Sequence, residues 1–120
     1  MSDATGGTPR LFHLTTPAAW EAAQQAGELV PEGFSQEGFV HCSTLDQLSG
    51  TIGRHFPGAE ALILLELDPD AVAPDLRWEE SRPGEAYPHL YRPLRAIDVV
   101  TAWSWRRGAG GEVELPPGLR

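Results

Sequence analysis

One hundred and twenty residues, 41 % of them hydrophobic, suffice for one domain with its own core and fall short of two. Seventeen Asp plus Glu stand against nine basic residues, giving a formal net charge of −8. All the basic residues are Arg, which excludes lysine Schiff-base chemistry and the lysine of a P-loop; the acidic balance, without an arginine cluster, disfavours nucleic-acid backbones.

The lone cysteine, Cys42, excludes an intramolecular disulfide and a multi-cysteine metal cluster. The opening MSDATGGTPR lacks the apolar region of a signal peptide, and the longest apolar run, Ala61–Leu65, is too short to cross a bilayer. The expectation is a cytoplasmic protein with no membrane segment.

Residues 1–10 read as a flexible lead, 11–107 as a single domain and 108–120 as a Gly- and Pro-rich tail. Arg10–Thr15 reads as a strand, with Phe12 and Leu14 on one side and His13 and Thr15 on the other. A helix follows. Thr16 is its N-cap, Pro17 its first residue and Gly27 its stop; Trp20 and Ala23 mark its inner face.

Residues 28–38 read as turns around a short extended piece. Phe39–Ser43 reads as a strand carrying Phe39, His41 and Ser43 on one face and Val40 and Cys42 on the other. Ser43 then caps a second helix, with Asp46 three residues on and Leu45, Leu48, Ile52 and Phe56 at helical spacing. Ala61–Leu67 is the clearest strand, and Asp70–Val72 a single helical turn. Leu76–Glu79 and His89–Tyr91 read as short strands. Ile97–Trp105 is a final strand with Ile97, Val99, Thr101, Trp103 and Trp105 on one face. Early helices and later strands give an α+β domain.

Among the histidines, His55 sits at a helix end, where a structural role is ordinary. His13, His41 and His89 lie among hydrophobic anchors, either as buried rings satisfying backbone carbonyls or as the walls of a site. With Glu79 they offer metal ligands, but no spacing matches a known metal motif, so no metal residues are assigned. Cys42 reads as a core residue rather than a nucleophile. Glu79 and Glu80 are either a solvated pair or the source of one cleft carboxylate, since strand parity sends them opposite ways. Glu66 is a further cleft candidate or a solvated strand end. Tyr91 is the favoured stacking ring beside His89.

His13–Thr16 (HLTT), Trp20, Glu37–Ser43 (EGFVHCS), Gln47, Trp78–Glu79 and Tyr87–Tyr91 (YPHLY) together resemble the DUF952 family over about Leu11–Thr101. That family is similar in fold to the ADP-ribosyltransferase superfamily, which implies a split, mixed β-structure flanked by helices with NAD in a central cleft. By that resemblance His13 would hold the adenosine-side ribose and Thr15 would lie near the nicotinamide ribose. His41, Ser43, His89 and Tyr91 would line the pocket, with Glu79 and His13 as catalytic residues and Glu79 stabilising the oxocarbenium charge. No late-strand Glu matches the transferase acid. The expected function is therefore nucleotide or NAD binding, with ADP-ribosyl transfer as the reaction if there is one. The alternatives are a non-catalytic metabolite- or peptide-binding module and a small metal-dependent enzyme.

Overall fold

The computed structural model describes residues 9–119, so the lead read over residues 1–10 lies outside the described residues except for Pro9 and Arg10. A four-stranded antiparallel sheet runs in the order β4-β1-β5-β9, built from β1 (Leu11–Thr15), β4 (Ser43–Thr44), β5 (Ala61–Leu67) and β9 (Val99–Arg106). A three-stranded sheet has the order β3-β7-β6, from β3 (Val40–His41), β6 (Leu76–Arg82) and β7 (Glu85–Leu90); β2 (Glu28–Leu29) pairs with β8 (Leu94–Arg95). The helices are α1 (Pro17–Ala26), α2 (Phe34–Glu37), α3 (Leu48–His55) and α4 (Pro69–Val72).

The α+β class and the flanking helices hold. The mixed pairing is corrected: every strand pair among the described residues is antiparallel. A parallel pair needs a crossover that returns to a neighbouring position in the same sheet. Instead α1 delivers the chain to β2, which joins a separate ribbon.

β1 sits inside its sheet with all five residues buried, because each face has its own core. Phe12 and Leu14 project with Leu62 and Leu64 into a core closed by Leu48, Ile52, Trp105 and Leu119. Leu11 projects oppositely, with Leu65 and Leu67, into a core closed by Ala23, Val40, Cys42 and Leu90. His13 and Thr15 share that second face by strand alternation. Their neighbours are therefore α1 and the three-stranded sheet.

α1 forms as its caps dictate. Thr16 Oγ1 accepts from the Ala19 N–H at 3.1 Å, Pro17 opens the first turn, and Gly27 at φ +90° donates to the Ala23 carbonyl. The Phe39–Ser43 strand is broken. Val40 and His41 pair with Leu90 and His89, whereas Ser43 and Thr44 pair with Phe12 and Leu11. Cys42 is the step between sheets; its N–H donates to the Pro88 carbonyl at 3.0 Å. The second helix starts later than expected. Thr44, not Ser43, precedes it, and Gln47, not Asp46, reaches back to accept from the Thr44 N–H at 3.0 Å. A 3-10 turn over Leu45–Gln47 leads into α3.

The hairpin β6–β7 is longer than expected, turning at Gly84 with φ +80°. Ile97 is corrected: it lies in a 3-10 turn, 81 % exposed, and only from Val99 does β9 begin. Trp103 and Trp105 face the same core. The tail residues Val113, Leu115 and Leu119 pack there too, and Trp105 Nε1–H donates to the Glu114 carbonyl at 2.9 Å. No helix among the described residues is long and apolar enough to cross a membrane.

Candidate functional site

A cavity of about 760 Å³ opens where β1 meets α1 and the segment after β2. His13, Thr15 and Ser43 give it polar groups; Ala19, Ala22 and Leu29 give it apolar walls. Glu28 and Glu32 also line it, and no arginine among the described residues does. His13 is buried, and its Nδ1 lies 2.7 Å from the His41 carbonyl oxygen. A carbonyl only accepts, so Nδ1 carries the proton and Nε2 presents a lone pair. Burial holds the imidazole below its ordinary pKa and outweighs the opposing His41 carbonyl. Ser43 Oγ lies 2.9 Å from Thr51 Oγ1, which donates to the Gln47 carbonyl. Ser43 thus donates to Thr51 and keeps lone pairs for a ligand.

A second cavity of about 360 Å³ is lined by Thr51, Arg54, Ser81, Arg82 and Tyr87, with Cys42 behind. His41 and His55 line both cavities, their ring centroids 6.4 Å apart. Arg54 Nη2 donates to the Tyr87 hydroxyl at 2.7 Å. His41 Nε2 lies 2.9 Å from Glu37 Oε1 in a half-exposed pair. Burial and then the charge of Arg54 push His55 below its ordinary pKa. Burial pushes the Cys42 thiol up to about 12, so it is an un-ionised core thiol.

Glu79, His89 and Tyr91 line neither of these two cavities. They form a hydrogen-bonded group on the next layer. His89 is buried, with Nδ1 2.8 Å from Glu79 Oε1 and Nε2 3.2 Å from Ser81 Oγ. The Tyr91 hydroxyl donates to the same Glu79 oxygen at 2.6 Å. Phe39 stacks on the His89 ring at 4.0 Å and 16°. Tyr91 and then His89 hold the Glu79 carboxyl below the usual range, and the same bond raises the Tyr91 hydroxyl. Strand alternation puts Arg77 and Glu79 on the His89 face, and Ser81, at the register shift between Glu80 and Arg82, reaches the same ring by its hydroxyl. Glu80 instead accepts from the Gly84 N–H in the turn, so the two carboxylates have different partners and neither lines either of these cavities.

The larger cavity thus brings together His13, Thr15, His41 and Ser43, while His89, Tyr91 and Glu79 meet one another behind His41, whose ring centroid is 5.3 Å from that of His89. Glu66 is a structural carboxylate. Arg10 Nε and Nη2 donate to it at 2.8 and 2.9 Å, and Trp103 Nε1 at 3.0 Å. Among the described residues no group of three or more His, Cys, Asp and Glu is arranged to hold a metal ion. Sequence reasoning missed Thr51, Ser81 and Arg82. Extending the Leu76–Glu79 strand by two residues would have put Ser81 on the Glu79 face, and its early stop hid that.

Residues 14–102 match the family model described as "Protein of unknown function (DUF952)". No curated protein matches. The crystal structure of protein CC0527 from Caulobacter crescentus is similar, with a TM-score of 0.80 and 31 % identity over 88 % of this chain and 93 % of that one. Its solution NMR structure gives a TM-score of 0.74 and 32 % identity over 85 % and 89 %. With the family model matching residues 14–102, most of the chain, and a solved relative at 31 % identity, the chain belongs to the DUF952 family.

Proposed function

We propose that this protein binds a small nucleotide-class metabolite. The anionic group sits in the arginine-bearing cavity, and the ring and ribose sit in the larger one. The observation that carries the reading is a contrast of charge. In a chain of net charge −8, the smaller cavity is walled by Arg54, Arg82, His41 and His55, with no carboxylate among the described residues that line it. Guanidinium forks match phosphate geometry. The larger cavity has apolar walls and a few convergent polar groups, the usual form of a metabolite site. His13 Nε2 accepts there, and the Thr15 and Ser43 hydroxyls both donate and accept, which suits ribose hydroxyls.

The His13-Leu14-Thr15 segment resembles the first-strand motif of ADP-ribosyltransferases, which makes NAD a ligand to test first. Binding is better supported than ribosyl transfer. The Glu79 oxygen expected beside an oxocarbenium ion is occupied by Tyr91 and His89.

NAD and ADP titrated separately into isotopically labelled protein and followed by NMR test the reading. Saturable shifts are expected at His13, Thr15, Ser43 and Arg54. Losing one charge-assisted phosphate contact removes about 1.5–3 kcal/mol. Arg54→Gln therefore weakens binding about 10- to 100-fold. No shift with either nucleotide at millimolar concentration overturns it.

A further inference from the structure

We propose that Ser81, His89 and Glu79 form a nucleophilic relay that hydrolyses small carboxylic esters bearing an anionic group. Three side chains on the facing strands β6 and β7 are placed in series: Glu79 Oε1 to His89 Nδ1 at 2.8 Å, and His89 Nε2 to Ser81 Oγ at 3.2 Å. A carboxylate beside Nδ1 fixes that nitrogen as the donor, so Nε2 is the acceptor that faces the serine hydroxyl. This is the order of roles in a serine–histidine–carboxylate relay, recognised by geometry rather than by chain position.

Each group has the exposure its role needs. Ser81 is exposed on the wall of the smaller cavity, where a substrate carbonyl can reach it. His89 is 4 % exposed, with one ring face covered by Phe39. Glu79 is fixed by the Tyr91 hydroxyl and stays ionised. Arg54 and Arg82 line the same cavity and supply positive charge for the anionic substituent and for a tetrahedral oxyanion. Glu79 and Tyr91 act as positioning residues; Ser81 Oγ is the reacting atom on the cavity wall, and His89 Nε2 meets it from behind at 3.2 Å.

The reaction balances with water as the only co-reactant. Ser81 Oγ forms a bond to the ester carbonyl carbon while its proton passes to His89 Nε2. The bond from carbon to the alkoxy oxygen breaks, and His89 returns the proton to the departing alcohol. Water then attacks the acyl-serine, giving its proton to His89. The bond to Ser81 Oγ breaks, the proton returns to Ser81, and a carboxylic acid leaves.

Intact protein is treated with an alkyl fluorophosphonate and, separately, with p-nitrophenyl acetate and mono-p-nitrophenyl succinate. One phosphonyl group per chain is expected, on the peptide carrying Ser81. The succinate ester is expected to react faster than the acetate, and Ser81→Ala is expected to lower both rates at least about 10²-fold. Ser81 is exposed, so this variant keeps the fold. Glu79→Gln lowers the labelling rate and shifts the His89 Nδ1 proton resonance upfield, and Glu79→Asp restores part of both.

Labelling of native protein no faster than of denatured protein, labelling at another residue, or wild-type hydrolysis by Ser81→Ala overturns the relay. Equal rates for the two esters overturn the anionic substrate class. All these readouts are taken without nucleotide, so their failure is distinguishable from failure of nucleotide binding.

Discussion

Replacing Asp98 by Asn removes one charge from a fully buried carboxyl and leaves its shape. Asp98 accepts from Arg92 Nη1 at 2.8 Å, from Arg92 Nη2 at 3.2 Å and from the Arg95 N–H at 2.8 Å. Arg92 also donates to Asp75 and to the Ala71 carbonyl, so it clamps α4 and the turn before β6 to the turn before β9. Breaking one side of a buried ion pair costs about 3–5 kcal/mol. Unfolding entropy near 2.1 cal/mol/K per residue gives about 0.25 kcal/mol/K for this length. Asp98→Asn should therefore lower Tm by about 12–20 °C.

Thermal unfolding at pH 7, followed by circular dichroism, reads the change. Burial pushes the Asp98 carboxyl up, but the hydrogen bonds from Arg92 and the Arg95 N–H outweigh it and hold it below the usual range. A depressed carboxyl stabilises the fold fully above its unfolded pKa, about 3.9, and loses that contribution as pH falls through the folded value. The gap between wild type and Asp98→Asn should close below about pH 4. A Tm loss under about 4 °C at pH 7, or a gap independent of pH, would refute the reasoning.

Three further outcomes follow from buried groups elsewhere. His13 is held below its ordinary pKa mainly by burial, so it binds a proton more weakly in the folded protein than in the unfolded one. Its contribution to stability is full above about pH 6.5 and falls as pH drops below that; a flatter Tm profile over pH 5–7 in His13→Asn checks it. Cys42, with its thiol pushed up to about 12, should stay unlabelled by a disulfide reagent in native protein at pH 8, and rapid stoichiometric labelling would contradict its burial. Trp105→Phe keeps a ring in the core but removes the donor to the Glu114 carbonyl. About 0.5–1.5 kcal/mol of stability should go with it, with faster amide exchange at Val113 and Leu115 as the measure.

Local signals in the sequence were legible where single residues carry them. Thr16, Pro17 and Gly27 mark both ends of α1 because caps act through side chains and backbone geometry within one turn. Alternation placed His13 with Thr15 for the same reason. The step between sheets at Cys42 was not legible. Whether residues 39–43 stay in one sheet depends on Pro88, Leu90 and Phe12, all distant in the chain. The buried Asp98 was invisible likewise, since its partner Arg92 becomes a neighbour only when the turn before β9 forms. The Gly- and Pro-rich composition of the tail did not reveal its docking: Leu119 is fully buried because Trp105 and Phe12 offer it a core.

The step at Cys42 also explains how one residue serves both cavities. His41 lies at the end of β3, paired with His89, immediately before the chain crosses to β4 beside β1. Its carbonyl orients His13, while the residue lines both cavities. Backbone and side chain therefore do separable work. His41→Ala should leave the His13 Nδ1–H tautomer unchanged in nitrogen NMR spectra, because the carbonyl acceptor stays in place. It should alter nucleotide shifts in both cavities at once, because one of the two residues that line both, His41 and His55, is truncated. A change of His13 tautomer in that variant would mean that the imidazole ring, not the strand pairing, fixes the crossing; the His13 site would then depend on a half-exposed side chain rather than on the sheet step that places it.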